Sequence, residues 1–115
     1  MKMEDMVMQV YQNALEDCRY DQQQRRQLQL GVEGGINIVL YADYRLSHQQ
    51  MQEIRLGLEH GIDAAIYADF EYTPAQMQEI RLGLEQGINV LEYIHPALDS
   101  DQMHEIRVQK SSTFN

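Results

Sequence analysis

The side chains able to do chemistry are few, and most of them recur at one interval. Histidines stand at His48, His60, His95 and His104, and the sole cysteine is Cys18. A zinc site needs a clustered His/Cys set, and a thiol redox centre needs paired cysteines. Neither H-E-x-x-H nor C-x-x-C occurs in the chain. Cys18 lies beside Arg19, which favours the thiolate. No base stands at a defined spacing from it, and its alignment with Tyr44 and Phe70 reads as a half-buried packing position. Glu53, Glu79 and Glu105 recur, as do Glu33, Glu59 and Glu85. Paired carboxylates serve as general acid and base, but an active site is needed once, so a carboxylate copied into every unit reads as scaffold. Arg55, Arg81 and Arg107 alternate with these acids, and we expect them to pair with a loop acid such as Asp43 or Asp69. No G-x-x-x-x-G-K-[ST] loop is present, and "GVEGG" lacks a strand before it. The chain therefore reads as a non-enzyme, with no cofactor and no metal site.

The elements that carry these residues are copies of one another. "QMQEIRLGLEHGI" from Gln50 returns 26 residues later as "QMQEIRLGLEQGI" from Gln76. The interval aligns Met51, Met77 and Met103, and it reaches back to Leu28, Gly31 and Tyr41 without an insertion. Self-similarity at such a period is the mark of stacked supersecondary units.

Each copy opens on a helix start. Asp21, Ser47, Thr73 and Asp99 share one slot, and Gln24, Gln50, Gln76 and Gln102 follow three residues on, which is the pattern of a capping box. Pro74 fits the first helical position. Met51, Ile54 and Leu58 then share a face, while Leu56 points elsewhere, as suits a helix with neighbours on two sides. Gly35, Gly61 and Gly87 stop the helices in the left-handed conformation. A short second helix is expected after Asn37, Asp63 and Asn89; the Ala-rich copy "AAIYA" decides helix over strand. Gly31, Gly57 and Gly83 sit inside helices, where Gly costs about 1 kcal/mol, so close approach of a helix or of the adjacent Tyr ring is expected there.

The fold class read from this pattern is all-α, with tandem helix-turn-helix repeats forming a short α-solenoid. One domain spans 1–110, comprising an N-terminal half-unit (1–20, with a short helix near Met3 to Asp17), units 21–46, 47–72 and 73–98, and a C-terminal half-unit (99–110). Residues 111–115 read as a flexible tail. The terminal half-units serve as end caps or, docking on each other, as a route to homo-oligomers.

Composition bounds the function. Eighteen acids against nine Lys and Arg give a net charge of −9, which opposes a phosphate backbone and steers toward a basic partner. The local basic cluster is Arg19, Arg25, Arg26 and Arg45, so direct nucleic-acid binding is disfavoured. No stretch approaches the roughly 20 apolar residues that cross a bilayer, and acids interrupt "MKMEDMVMQVYQ", so neither membrane span nor secretion signal is expected. With one cysteine, a reducing cytoplasm is the expected location.

The text "QMxEIRLGLExGIxxxxYAD", clearest from Gln50 to Tyr93, resembles tandem 26-residue helical-repeat proteins of gut Firmicutes and their phages and mobile elements. The loops depart from that pattern, with "YADY", "YADF" and "YIHP" where it continues "YADP". The resemblance implies a small accessory or phage-borne protein, such as an anti-CRISPR-like inhibitor or nucleic-acid mimic acting on a basic host protein.

Positions that differ between copies are free to carry recognition. The varied loops hold Asp43, Tyr44 and Arg45; Asp69, Phe70, Glu71 and Tyr72; and His95, which replaces an aspartate. Aromatic residues are enriched among binding anchors, so these residues form the candidate partner-binding edge; the competing reading tucks their rings against the next helix. His48, His60 and His104 read as solvent-facing filler. The function expected is non-catalytic protein binding. The alternative is a small-ligand-binding or sequestering protein with a pocket between repeats or subunits.

Overall fold

The computed structural model describes Lys2–Ser112, in which five α-helices follow one another: α1 (Met3–Glu16), α2 (Gln22–Glu33), α3 (His48–Glu59), α4 (Pro74–Glu85) and α5 (Ser100–Ser112). Each packs on the next in chain order, drawing the molecule out to 47 × 26 × 18 Å. No strand occurs among the described residues.

The helix starts are built as their sequences predict. Asp21, Ser47, Thr73 and Asp99 each accept the backbone N–H of the Gln three residues on, and that Gln side chain accepts the N–H of the cap. Two orphan donors are satisfied at each start. The stops of α2, α3 and α4 are equally regular. Gly35, Gly61 and Gly87 have φ of 72–73°, and the N–H of the following Ile returns to the Gly31, Gly57 or Gly83 carbonyl. This is the six-to-one bond of a Schellman turn.

The expected second helix is only one 3₁₀ turn: Ile38–Leu40, Ala64–Ile66 and Val90–Glu92. Its geometry has a reason. Ile38 and Tyr41, Ala64 and Tyr67, and Val90 and Tyr93 are all buried, and each pair is three residues apart. A 3₁₀ turn eclipses residues at that spacing, so both side chains reach the same neighbour. Asn37 and Asn89 cap their turns, but Asp63 makes no side-chain cap bond.

The N-terminal helix lies where expected, at Met3–Glu16, but it is a full 14-residue α-helix and not a counterpart of the short turns. Gln9 and Asp5 stand in register with Gly35 and Gly31, so nothing stops the helix. At the other end α5 continues through Ser111 and Ser112, which were expected in the tail; 113–115 lie outside the described residues.

The interior is a continuous row of recurring contacts. Leu28, Ile54 and Ile80 are fully buried, as are Met51, Met77 and Met103. The Tyr41, Tyr67 and Tyr93 rings are completely enclosed, and their hydroxyls donate to the Gln27, Glu53 and Glu79 carbonyls at 2.8, 2.6 and 2.9 Å. Each of those carbonyls lies four residues before Gly31, Gly57 or Gly83. A methyl group at any of these glycines would overlap the hydroxyl and stand 3.1–3.2 Å from the ring carbon bearing it. Glycine is therefore required by the close approach of the Tyr ring, the packing reason its position suggested.

Burial raises all three phenols, pushing Tyr93 up to about 12. The unfolded chain ionises these groups near the ordinary pKa of about 10, while the fold keeps them protonated. Their contribution to stability is complete below pH of about 10 and is lost as pH rises through the folded values. Alkaline titration should therefore show tyrosinate absorbance appearing in two phases, the second coincident with loss of helical circular dichroism.

Gly57→Ala should destabilise the fold by about 1–3 kcal/mol despite the better helix propensity of Ala. Tyr67→Phe should cost about 1 kcal/mol through the lost hydrogen bond. In the Tyr67→Phe background Gly57→Ala should cost far less, because the overlapping oxygen is gone. Urea denaturation of all four forms checks this, and strict additivity would contradict the proposed contact.

Candidate functional site

The loops that lead from each buried element to the next helix lie along one edge, and one bond closes all of them. The Asp17, Asp43 and Asp69 carboxylates each accept the backbone N–H two residues on, at 2.9–3.0 Å. His95 does the same through Nδ1, accepting from the Ala97 N–H at 3.1 Å. The substitution of His for Asp thus keeps the turn. From the other side, the Gln of the capping box reaches across. Gln24 Nε2 donates to the Tyr44 and Leu46 carbonyls, Gln50 to those of Phe70 and Tyr72, and Gln76 to those of Pro96 and Leu98. The loops are pinned at both ends of their backbone.

Side chains then build a ledge on that fixed backbone. The Arg19 fork grips Asp17 at 2.8–3.3 Å and holds its carboxyl down at about 2. Arg45 grips Asp43 in the same way and lowers it too. Each guanidinium also covers an aromatic ring of the next loop. Arg19 lies 4.3 Å from the Tyr44 ring centroid and Arg45 lies 5.1 Å from that of Phe70. Tyr20 meets Tyr44 edge-on at 6.3 Å. Delocalised cations stack well on aromatic faces. The series ends at Glu71, which occupies the place of the next arginine.

This arrangement sorts the candidate residues. Tyr44 and Phe70 remain 41% and 53% exposed, and Asp43, Arg45, Asp69, Glu71 and His95 accompany them on the edge. Tyr72 does not. It is only 7% exposed, because it shares a register position with Tyr20 and Leu46, which are also buried. That recurrence of large side chains was the available signal that Tyr72 belongs to the core. Cys18 is a correction in the other direction: it is exposed, not half-buried.

The repeated Arg and Glu side chains are also placed differently from expectation. Arg81 bonds Glu53 at 2.8 Å and Arg107 bonds Glu79 at 2.7 Å, each acid lying on the preceding helix. Arg55 donates to Gln27 instead and pairs with Glu59 on its own helix. The loop acids Asp43 and Asp69 are not their partners, since the loop turns already occupy those carboxylates. His60 and His104 are exposed but not idle: they contact Glu85 and Glu79 on a neighbouring helix. Among the described residues no group of three or more His, Cys, Asp or Glu side chains could hold a metal ion, and no helix is long and apolar enough to cross a membrane.

Comparison of the chain with family models, curated proteins and solved structures finds no match.

Truncation should separate ledge from core. Phe70→Ala should change unfolding free energy by about 0.5 kcal/mol or less, and Tyr44→Ala should cost about 1 kcal/mol through its lost contact with Tyr20. Tyr72→Ala should cost about 3 kcal/mol, as for other buried aromatic side chains. Chemical denaturation of the three variants measures the difference.

Proposed function

We propose that this protein is a non-catalytic binding module, a short α-solenoid that displays a ledge of aromatic and charged side chains to a protein partner. The observation that carries the reading is the exposure of Tyr44 and Phe70 on loops whose backbone is pinned by the turn-closing aspartates and by Gln24 and Gln50. Both rings stand under a guanidinium whose charge is held by its own aspartate. Such rings are rigid before binding, so little entropy is lost when they are covered, and Tyr and Arg are favoured as interface anchors. The recurrence of the same packing from α2 to α5 supports the solenoid reading, in which each unit covers the next.

The net charge of −9 favours a basic partner. The arginine series of the loops stops at Arg45: the later loops carry Asp69 and Glu71, then Asp99, with no arginine, and Asp101 follows in the first turn of α5. A surface of this sign fits the groove of a nucleic-acid-handling protein, in keeping with the resemblance to repeat proteins of phages and mobile elements. An inhibitor acting by occupying such a groove is the specific form of the proposal.

The test is affinity capture from a native host with three forms of the protein. A partner held by the wild type should be lost, or weakened by about tenfold or more, with Tyr44→Ala/Phe70→Ala. Glu71→Lys/Asp101→Lys should slow association and remove its salt dependence. Capture that both double variants leave intact would discard the ledge as the binding surface.

A further inference from the structure

One register position breaks the pattern of the interior. Met51, Met77 and Met103 are fully buried, each on a helix covered by the one before it. The residue in the same register on α2 is Arg25. Here the covering element is α1, and an open surface cleft of about 380 Å³ lies between the two helices. Tyr11, Leu15, Gln22, Arg25, Arg26 and Gln29 line it. In a chain with twice as many acids as bases, this lining contains two arginines and no carboxylate.

The donors in the cleft are under-used. Arg25 gives one bond, from Nη2 to the Asp17 carbonyl at 3.0 Å, while its Nε is enclosed with no hydrogen-bond partner. The Asp17 carboxylate that could have answered it is gripped by Arg19. Arg26 makes no ion pair among the described residues, and Gln22 adds an amide donor beside it, whereas the Gln29 amide already donates to the Glu33 carboxylate at 3.0 Å. A guanidinium in this state lacks acceptors, and leaving a buried donor unmet is costly. The three other copies hold Met there, which fills the same place without that cost.

We propose that the α1–α2 cleft is a binding site for a single oxyanion group, the carboxylate or phosphate of a small molecule, with Arg25 and Arg26 as its principal donors. Carboxylate and phosphate oxygens match the guanidinium fork. The Tyr11 ring and Leu15 offer an apolar wall to whatever carries the anion. The site is separate from the ledge, so either can fail without the other.

Titration with sodium acetate and with sodium phosphate, each against sodium chloride at matched ionic strength, tests it through backbone amide shifts in NMR spectra. Saturable shifts confined to α1 and the first half of α2 are expected from acetate, phosphate or both, and the tighter one identifies the source chemistry. Arg25→Met should weaken that binding by about tenfold or more, with the fold retained and thermal stability equal or higher, since Met is what the same position holds elsewhere. Arg25→Lys keeps the charge but loses the fork, so it too should bind more weakly. Arg26→Gln reads the same site without touching the Asp17 contact, and covers the case in which Arg25→Met does not fold. Shifts that chloride reproduces, or that survive both Arg25→Met and Arg26→Gln unchanged, would overturn the proposal.

Discussion

The structure depends on a phenol reaching a helix carbonyl through the gap left by a missing methyl group. Tyr41, Tyr67 and Tyr93 each bury a whole ring and end on a carbonyl of the preceding helix. In an α-helix such a carbonyl already accepts from the N–H four residues on, which here belongs to Gly31, Gly57 or Gly83. Any side chain at that position would close off its second lone pair. The glycine costs about 1 kcal/mol of helix propensity, and burial of an aromatic ring with its hydroxyl satisfied outweighs that by a wide margin. The same docking sets where each chain reversal must occur, since the ring can reach back only from a segment that turns within three residues.

Because the contact ties each helix to the turn that follows it, the next helix is left to pack on a surface already complete. The Gln side chains of the capping boxes then link each helix start to the backbone of the following loop. The loops at one edge are thus fixed by these bonds together with the Asp or His side chain that closes each turn, and their aromatic rings take no part. Tyr44 and Phe70 are left to solvent for that reason. Each ring is held by its neighbours in the ledge, Tyr44 by Tyr20 and Arg19 and Phe70 by Arg45, while part of it stays open to solvent.

The α1 end follows different rules. Without glycines in register, the chain stays helical from Met3 to Glu16, and Leu15 stands at the register position of the docked Tyr41, Tyr67 and Tyr93. On the face of α2 that meets α1, the position that is a buried Met elsewhere is an arginine beside a cleft. Departures from the repeating text are informative here because the other copies show what the scaffold itself requires at the same place.

Much of this was legible in the residues. Capping boxes, left-handed glycine stops and the need for close approach at Gly57 are local properties of residue type and spacing, and the chain alone settled them. Other features depend on which neighbour arrives first. A run such as "IVLYA" is compatible with strand, helix or turn; the burial of Ile38 together with Tyr41 selected a 3₁₀ turn. Arg81 had acids available on several elements, and the register between α3 and α4 chose Glu53 over the loop aspartates. The division of the edge into exposed Phe70 and buried Tyr72, aromatic residues two positions apart, was likewise a matter of packing. Composition does not distinguish two rings of similar hydrophobicity, and beyond the register signal at Tyr72 it is the direction in which a pinned loop points each of them, into the core or away from it, that decides.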